Sequence, residues 1–215
     1  MMNVTNTKPL DQQAEEPRLI AEAQQGDLAS FNRLVTLYQD RVFNTAFRIL
    51  GGYDEAEDAA QTAFISAYRN IRSFRGGSFK AWLMKVVVNA CYDELRKSKR
   101  QPVVSIDDDS REDYLDLADR GLPDPTPTPQ EISEIRELHR AVQYCLQDLP
   151  PDFRAVAVLA DVEELDYEEI SRITGNPLGT VKSRLARARQ KLRGCLQDFW
   201  ELLPPAIRQK YEGAR

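Results

Sequence analysis

Apolar positions recur every three or four residues along two long stretches of the chain, and the segment between them has no such period. Leu19, Ile20 and Ala23 begin a first amphipathic helix, which Gly26-Asp27 interrupts. A second helix, from Leu28, carries Phe31, Leu34, Val35, Tyr38, Val42, Phe43, Ala46, Phe47 and Leu50 on one face. Gly51-Gly52 stops it, because glycine accepts the left-handed conformation that commonly ends a helix. Asp54 then opens a third helix as N-cap, with Glu55, Glu57 and Asp58 complementing the positive end of its dipole. Its inward positions are Ala60, Phe64, Ala67, Tyr68 and Ile71. After the loop Phe74-Arg75-Gly76-Gly77-Ser78, Ser78 or a neighbour caps a fourth helix through Trp82, Leu83, Val86, Val87, Ala90, Cys91 and Leu95, fraying from Arg96 to Arg100. Val86-Val87-Val88 is too short a run to make a strand there.

Residues 1–17 are polar, contain Pro9 and Pro17, and read as a mobile tail. Residues 101–130 lose the helical period; Pro123, Pro125, Pro127 and Pro129 alternate with polar residues, which favours an extended linker. Helical spacing resumes at Glu131 with Ile132, Ile135, Leu138, Val142, Cys145 and Leu146, and stops at Leu149-Pro150-Pro151. A short helix with Phe153, Val156, Ala157 and Ala160 follows. Leu165 to Ile173 forms another short amphipathic helix, Gly175 makes a tight turn, and Asn176 as N-cap with Pro177 as first helical residue starts the next. Residues 199–215, with Trp200, Leu202, Leu203 and then Pro204-Pro205, are either a docking tail or a frayed terminus. The expected fold is all-α: two small helical domains, 18–100 and 131–198, joined by a flexible acidic, proline-rich linker.

Composition narrows the chemistry. The chain has 215 residues, 42% hydrophobic and 29% charged, enough apolar material for packed cores. No apolar run reaches the roughly 18 residues of a membrane span, and the first residues lack a hydrophobic signal core, so a cytoplasmic location without membrane insertion is expected. A single histidine, His139, leaves little room for histidine-based catalysis or a metal site, and it reads as an exposed surface residue. Cys91, Cys145 and Cys195 lie far apart with no CxxC, which argues against a disulfide framework or zinc site. No P-loop or HExxH is present. No cofactor, no metal and no catalytic role are expected.

The net charge of -5 hides a segregation. Arg69 to Arg100 carries nine Lys/Arg against two acids, Arg172 to Arg193 carries seven and no acid, and Asp107 to Glu137 has a balance of -8. Two basic blocks around an acidic spacer suit a chain that grips a polyanion at two places, although solvated helix faces would give the same counts. In the downstream block, Leu178, Val181, Leu185, Ala188 and Leu192 form one narrow apolar stripe, with Gly179, Ser183, Ala186 and Gln190 opposite and cations on both flanks. Such a helix can anchor by one face and approach base edges with the other while its cations meet phosphates. In the upstream block, Phe64, Tyr68, Phe74, Phe79, Trp82 and Tyr92 interleave with Arg69, Arg72, Arg75, Lys80 and Lys85, the chemistry of single-strand binding. Phe64, Tyr68 and Trp82 have a core role by default, whereas Phe79 and the loop Arg75 to Ser78 are the better candidates for exposed work.

The residues then meet a known family. Asp54-Glu55-Ala56-Glu57-Asp58-Ala59-Ala60-Gln61-Thr62-Ala63-Phe64, Ser73-Phe74-Arg75-Gly76, and Trp82-Leu83 with Asn89 and Leu95-Arg96 resemble region 2 of the extracytoplasmic-function (group 4) bacterial sigma factors. Leu149-Pro150, Leu165 to Ile170, and Pro177 to Arg189 resemble region 4. The resemblance implies a subunit that binds core RNA polymerase and directs promoter recognition in a stress or envelope response. It implies that Asp54, Asp58, Gln61 and Phe64 dock on the clamp helices of the β′ subunit. It assigns Arg75, Ser78, Phe79, Lys80, Trp82, Lys85, Asn89, Asp93 and Arg96 to a melted −10 element, and Thr180, Lys182, Ser183, Arg184 and Arg187 to a duplex −35 element. The β flap would meet the second domain, and an anti-sigma factor would be a silencing partner. Ala186 offers the groove only a methyl where some relatives carry a larger side chain.

Three other readings compete: a stand-alone helix-turn-helix regulator, a nucleic-acid enzyme and a protein-interaction module. The first leaves the upstream basic block and the acidic start of the third helix without a role.

A linker of 30 residues spans about 30 Å as a flexible coil and about 100 Å when extended, against the roughly 70 Å between elements two DNA turns apart. Proline alternation and like-charge repulsion push it toward length, and its acidity steers it away from DNA toward basic channels of the polymerase. Replacing Asp107, Asp108 and Asp109 by Asn is therefore expected to weaken core binding or transcription. Unchanged behaviour in both assays would refute that path.

Overall fold

The computed structural model describes residues 9–100, 129–203 and Arg208; residues 101–128 of the linker lie outside the described residues, and Pro129 and Gln130, expected in the linker, begin a helix. Four helices make an N-terminal bundle: α1 (Pro9–Gln24), α2 (Leu28–Leu50), α3 (Tyr53–Asn70) and α4 (Phe79–Arg100). Four more make a C-terminal unit: α5 (Pro129–Gln147), α6 (Pro151–Ala157), α7 (Tyr167–Thr174) and α8 (Leu178–Leu196). No strand occurs among the described residues.

The bundle is organised around α2, which packs on α1, α3 and α4. Val42, Ala46 and Ile49 are wholly buried at its centre. Asp27 caps α2 by accepting from the Ser30 N–H (2.9 Å), and Gly51 ends it at φ +93°. The inner face of α3 is almost pure alanine: Ala56, Ala59, Ala60, Ala63 and Ala67 are all buried. Such small residues let α3 approach its neighbours closely while its acidic outer face stays in water. Burial of Leu34, Ile71, Leu83 and Met84 contributes about 1.5–3 kcal/mol each.

Several sequence expectations shift. Residues 9–17 belong to helix α1 rather than to a mobile tail: Leu19, Ile20 and Ala23 bury its face, and the Tyr38 hydroxyl donates to the Glu16 carboxylate. Residues 1–8 lie outside the described residues. The third helix is capped by Gly52, not Asp54; Asp54 and Glu55 occupy its first turn, where they still meet the positive end of the dipole. Helix α4 continues through Arg100 instead of fraying, with Arg96–Asp93 and Lys97–Glu94 pairs along its last turns. Ser78 does cap α4, accepting from the Ala81 N–H (3.0 Å). The last helix starts one residue late, with Pro177 as N-cap and Leu178 first. Asn176 is drawn away by other bonds: its carbonyl accepts from the Ser171 hydroxyl (2.6 Å), and its amide donates to the Thr174 carbonyl. His139 is half-buried rather than exposed.

In the C-terminal unit, α8 packs on α5, α6 and α7. Helix α7 opens with a full capping box: the Glu169 N–H donates to Asp166 Oδ1 (2.7 Å) and the Asp166 N–H to Glu169 Oε2 (3.1 Å). Gly175 takes φ +67° in the turn before α8. Beyond α6, Val158–Val162 widens into a π-helical segment, closed by Glu164 at φ +53°. Of the last stretch, Gln197–Leu202 forms a short 3-10 helix whose Phe199 ring meets Tyr144 edge-on, and Leu203 is buried. So this part docks, while residues 209–215 lie outside the described residues.

One expectation fails outright. Cys145 on α5 and Cys195 on α8 form a disulfide. Distance along the chain was a poor guide, because packing of α5 on α8 brings their C-terminal ends, 50 positions apart, to a Cα separation of 5.7 Å. Cys91, buried in the bundle, stays free, and burial pushes its thiol up to about 12. A cross-link closing a loop of this size restricts the unfolded chain by about 4 kcal/mol. Reduction is accordingly expected to lower the calorimetric melting temperature of the C-terminal unit, and an identical midpoint with and without reductant would contradict this.

Candidate nucleic-acid interface

Helix α8 is anchored by Val181, Leu185 and Ala188, all buried, with Leu178 and Leu192 half-buried beside them. Gly179, Lys182, Ser183, Ala186, Arg187 and Gln190 are exposed on the other side, and Thr180 is half-buried. The Ser183 hydroxyl donates back to the Thr180 carbonyl (3.0 Å). Lys182 lies over the Tyr167 ring, 5.7 Å from its centroid, so the first helix of the motif orients a cation of the second. Arg189 is held by Asp161, whose hydrogen bond raises the guanidinium pKa further. Arg184 alone among the five −35 candidates is committed to an acid, pairing with Asp152 at 3.0 Å. Lys182, Ser183 and Arg187 form an exposed strip with half-buried Thr180 at its edge and no acid on the helix.

The −10 candidates fall on the loop before α4 and along that helix. Gln24 fixes the base of this loop, its amide donating to the carbonyls of Ile71 (3.1 Å) and Phe74 (2.8 Å). Gly76 and Gly77 take φ +94° and +87°, which lets the loop turn where a side chain would be strained. Arg75, Ser78, Lys85, Asn89, Asp93 and Arg96 are exposed, and Asp93 pairs with Arg96. Phe79 corrects the sequence reading: it is only 3% exposed. Its ring packs among Tyr38, Phe74 and Trp82 at centroid distances of 5.4–5.6 Å. Helix α4 needs an apolar residue in its first turn to close over Tyr38, and that need takes Phe79 inward. Trp82 and Phe74 stay half-buried at the edge of the same cluster. Tyr68 also reverses its default, standing 41% exposed against Phe31.

On the far side of α3, Asp58, Gln61 and Phe64 line a groove of about 400 Å³ with Gln39, Asp40, Phe43 and Asn44 of α2. Asp54 is exposed at the start of α3, outside that lining. The groove is acidic at its rim and aromatic at its floor, where Phe43 meets Tyr53. The family resemblance had implied only the α3 half; the α2 contribution comes from packing.

Residues that the sequence had not marked lie where the two units meet. Arg154, 6% exposed, donates to the carbonyls of Ile49, Gln147 and Leu149 and to the Gln147 side chain. Burial lowers its guanidinium pKa, as it does for Arg48. Glu163, 4% exposed, accepts from the Thr45 hydroxyl (2.8 Å) and pairs with Arg41 (3.4 Å). Its backbone carbonyl accepts from Lys80 Nζ at 2.7 Å. Nothing in the local pattern distinguishes these two charges from surface ones.

Two family profiles match the chain: Sigma-70 region 2 over residues 34–101, and Sigma-70, region 4 over residues 139–192. The chain is 35% identical over 184 residues to ECF RNA polymerase sigma factor SigW of Bacillus subtilis, covering 84% of this chain and 96% of that one. It is 33% identical over 192 residues to the ECF RNA polymerase sigma-E factor of Escherichia coli, covering 88% and 98%. Among solved structures it resembles CnrH bound to the cytosolic domain of CnrY, with TM-score 0.59, 20% identity and coverage of 85% and 97%. A similar likeness is to RpoE with the anti-sigma factor NepR from Bartonella quintana, at TM-score 0.59 and 24% identity, covering 79% and 98%. These two likenesses establish a shared fold.

Proposed function

The chain belongs to the extracytoplasmic-function group of sigma-70 factors, and from that premise we propose how its two units divide the work of promoter-directed initiation. The C-terminal unit, 131–198, reads duplex −35 DNA through Thr180, Lys182, Ser183, Arg184 and Arg187. The N-terminal bundle, 18–100, binds melted −10 DNA through the loop Arg75 to Lys80 and the exposed side of α4: Lys85, Asn89, Asp93 and Arg96. The groove of Asp58, Gln61 and Phe64, with Asp54 at its approach, docks on the β′ clamp helices of core polymerase, and the second unit meets the β flap.

The observation that carries the proposal is the two-sidedness of α8. One side is buried to the backbone and the other is exposed, small and free of acid for the whole helix. A stand-alone duplex binder would need nothing more; the acidic, groove-forming face of α3 then has no use, whereas a core-polymerase partner employs it. Phe79 supports the −10 reading by position, as a wedge under the loop, rather than by offering its ring to a base. Trp82 is the half-exposed ring in that cluster able to meet an unstacked base. The role is regulatory, with the chemistry of RNA synthesis left to the polymerase, and the protein works in the cytoplasm where that enzyme is. No helix of the described residues is long and apolar enough to cross a membrane. An anti-sigma protein as silencing partner belongs to the same reading.

Run-off transcription with purified core polymerase on a pool of random promoters is expected to give defined start sites and reveal both elements. Truncating Lys182 or Arg187 to Ala is expected to cut promoter-dependent initiation about 5- to 150-fold. Helical content should be unchanged by circular dichroism, and initiation at the wild-type rate would reject the assignment.

A further inference from the structure

We propose that the last turns of α3 form a second single-strand subsite beside the −10 loop, in which the Tyr68 ring stacks on an unpaired base and Arg69 and Arg72 hold the phosphates that flank it. The inference rests on the −10 reading above and carries the strand beyond the loop and α4.

Helix α3 changes character along its length. Its first half is acidic on the outside, with Asp54, Glu55, Glu57 and Asp58, and it borders the groove assigned to the polymerase. Its last turns carry Ile65, Tyr68 and Arg69, and the 3-10 turn Ile71–Ser73 that follows carries Arg72. Helical spacing places these four on one face, and all four are exposed. The alanine face of the helix, by contrast, is buried in the bundle.

Three of the six large hydrophobic side chains exposed among the described residues gather here: Leu28 at 54%, Ile65 at 48% and Tyr68 at 41%. Leu28 stands one turn before Phe31, whose ring meets Tyr68 edge-on at 4.9 Å. That contact steadies the tyrosine from one side and leaves the rest of the ring to solvent. A single exposed apolar side chain calls for no explanation, whereas a cluster marks a contact surface.

The charges say what kind of partner fits. Among the described contacts, Arg69 and Arg72 have neither an ion pair nor a hydrogen bond, while Arg41, Arg96, Arg184 and Arg189 are each paired with an acid. Arg72 reaches the corner between α1 and α2, its guanidinium 3.7 Å from where a Cβ on Gly26 would stand. The acids at that corner are already engaged: the Ser30 hydroxyl donates to Glu22 (2.6 Å) and the Ser30 N–H to Asp27 (2.9 Å). An exposed ring flanked by unpaired guanidinium groups suits a single strand, whose bases stack on rings while cations follow its backbone. A duplex keeps its bases stacked on one another and offers this ring nothing. A protein segment suited to the acidic groove would meet the opposite sign here.

The face is also continuous with the −10 loop. Arg72 precedes Arg75 by three residues, and Gln24 ties this stretch down by donating to the carbonyls of Ile71 and Phe74. A strand leaving the loop at Arg75 meets Arg72 next and Tyr68 one turn further on. Tyr68 thus gives it a second ring besides Trp82.

The test uses holoenzyme assembled from the full chain and core polymerase. Fluorescence anisotropy compares single-stranded oligonucleotides that carry the −10 element defined by run-off transcription, either alone or extended on one side or the other. Wild type is expected to bind one extended strand about fivefold or more tighter than the minimal one, and an abasic nucleotide in the extension is expected to remove the gain. Tyr68→Ala is expected to lose the gain while binding the minimal strand as wild type does. Tyr68→Leu, which keeps an apolar contact with Phe31, is expected to lose it too, and serves if the alanine variant loses helicity by circular dichroism. Arg69→Gln and Arg72→Gln should each lower the salt slope for the extended strand by about 0.7. An extension that adds nothing to wild type, or adds as much to the Tyr68 variants, would overturn the subsite. Weaker assembly of the Tyr68→Leu chain with core polymerase, with the gain intact, would assign the face to a protein partner and overturn it as well. Failure of wild type to bind the minimal strand would instead sink the −10 reading, while the abasic comparison on the extended strand still decides the role of Tyr68.

Discussion

The end of one buried helix sets the terms for this molecule. Helix α2 runs through the centre of the N-terminal bundle and ends in carbonyls that cannot face an apolar neighbour without partners. Gly51 satisfies one by turning back its own N–H onto Phe47, and the rest of the cost is offset from outside by Gln143, Gln147 and Arg154. Because the donors come from the C-terminal unit, the cap of one unit is the interface of the other. Arg154 would be an expensive burial anywhere else; here four acceptors surround it. The buried apolar residues of both units accordingly form one continuous cluster.

That arrangement explains why charge segregation along the chain is a poor map of charge in space. The basic block of α8 meets acids that the sequence places elsewhere: Asp152 for Arg184 and Asp161 for Arg189. Both acids belong to the segment around α6, which itself touches α2 of the bundle. Lys182, Ser183 and Arg187 have no such partner among the described contacts and stay open to a ligand. The open cationic strip is therefore what remains of the basic block after folding has used part of it.

How far the sequence could be read follows from which interactions are local. Helix α2 was legible because a single apolar face and a glycine stop suffice, and both are encoded within the helix or directly after it. The turn at Gly175 and the Ser78 cap were legible for the same reason, being settled within four residues. Caps at Gly52 and Pro177 were misplaced by one or two positions because the competing polar residues, Asp54 and Asn176, found other roles. Phe79 and Tyr68 were assigned the wrong way round. Both lie on amphipathic helices, and only the approach of Tyr38 to one and the open edge beside Phe31 at the other separate them. The disulfide, the α2 half of the groove, and the roles of Arg154 and Glu163 depend on contacts between residues 50 or more apart, or on surfaces built from several helices. No window of sequence contains those.

The disulfide bears on the contact between the two units as well as on stability. Cys145 lies on α5 between Gln143 and Gln147, two of the residues that hold α2, and Cys195 lies at the far end of the helix that carries Arg184. A covalent tie between these helices joins the part of the C-terminal unit that touches α2 to the helix that carries Arg184. The residues that cap α2 and the helix that carries Arg184 are thereby joined by one covalent link.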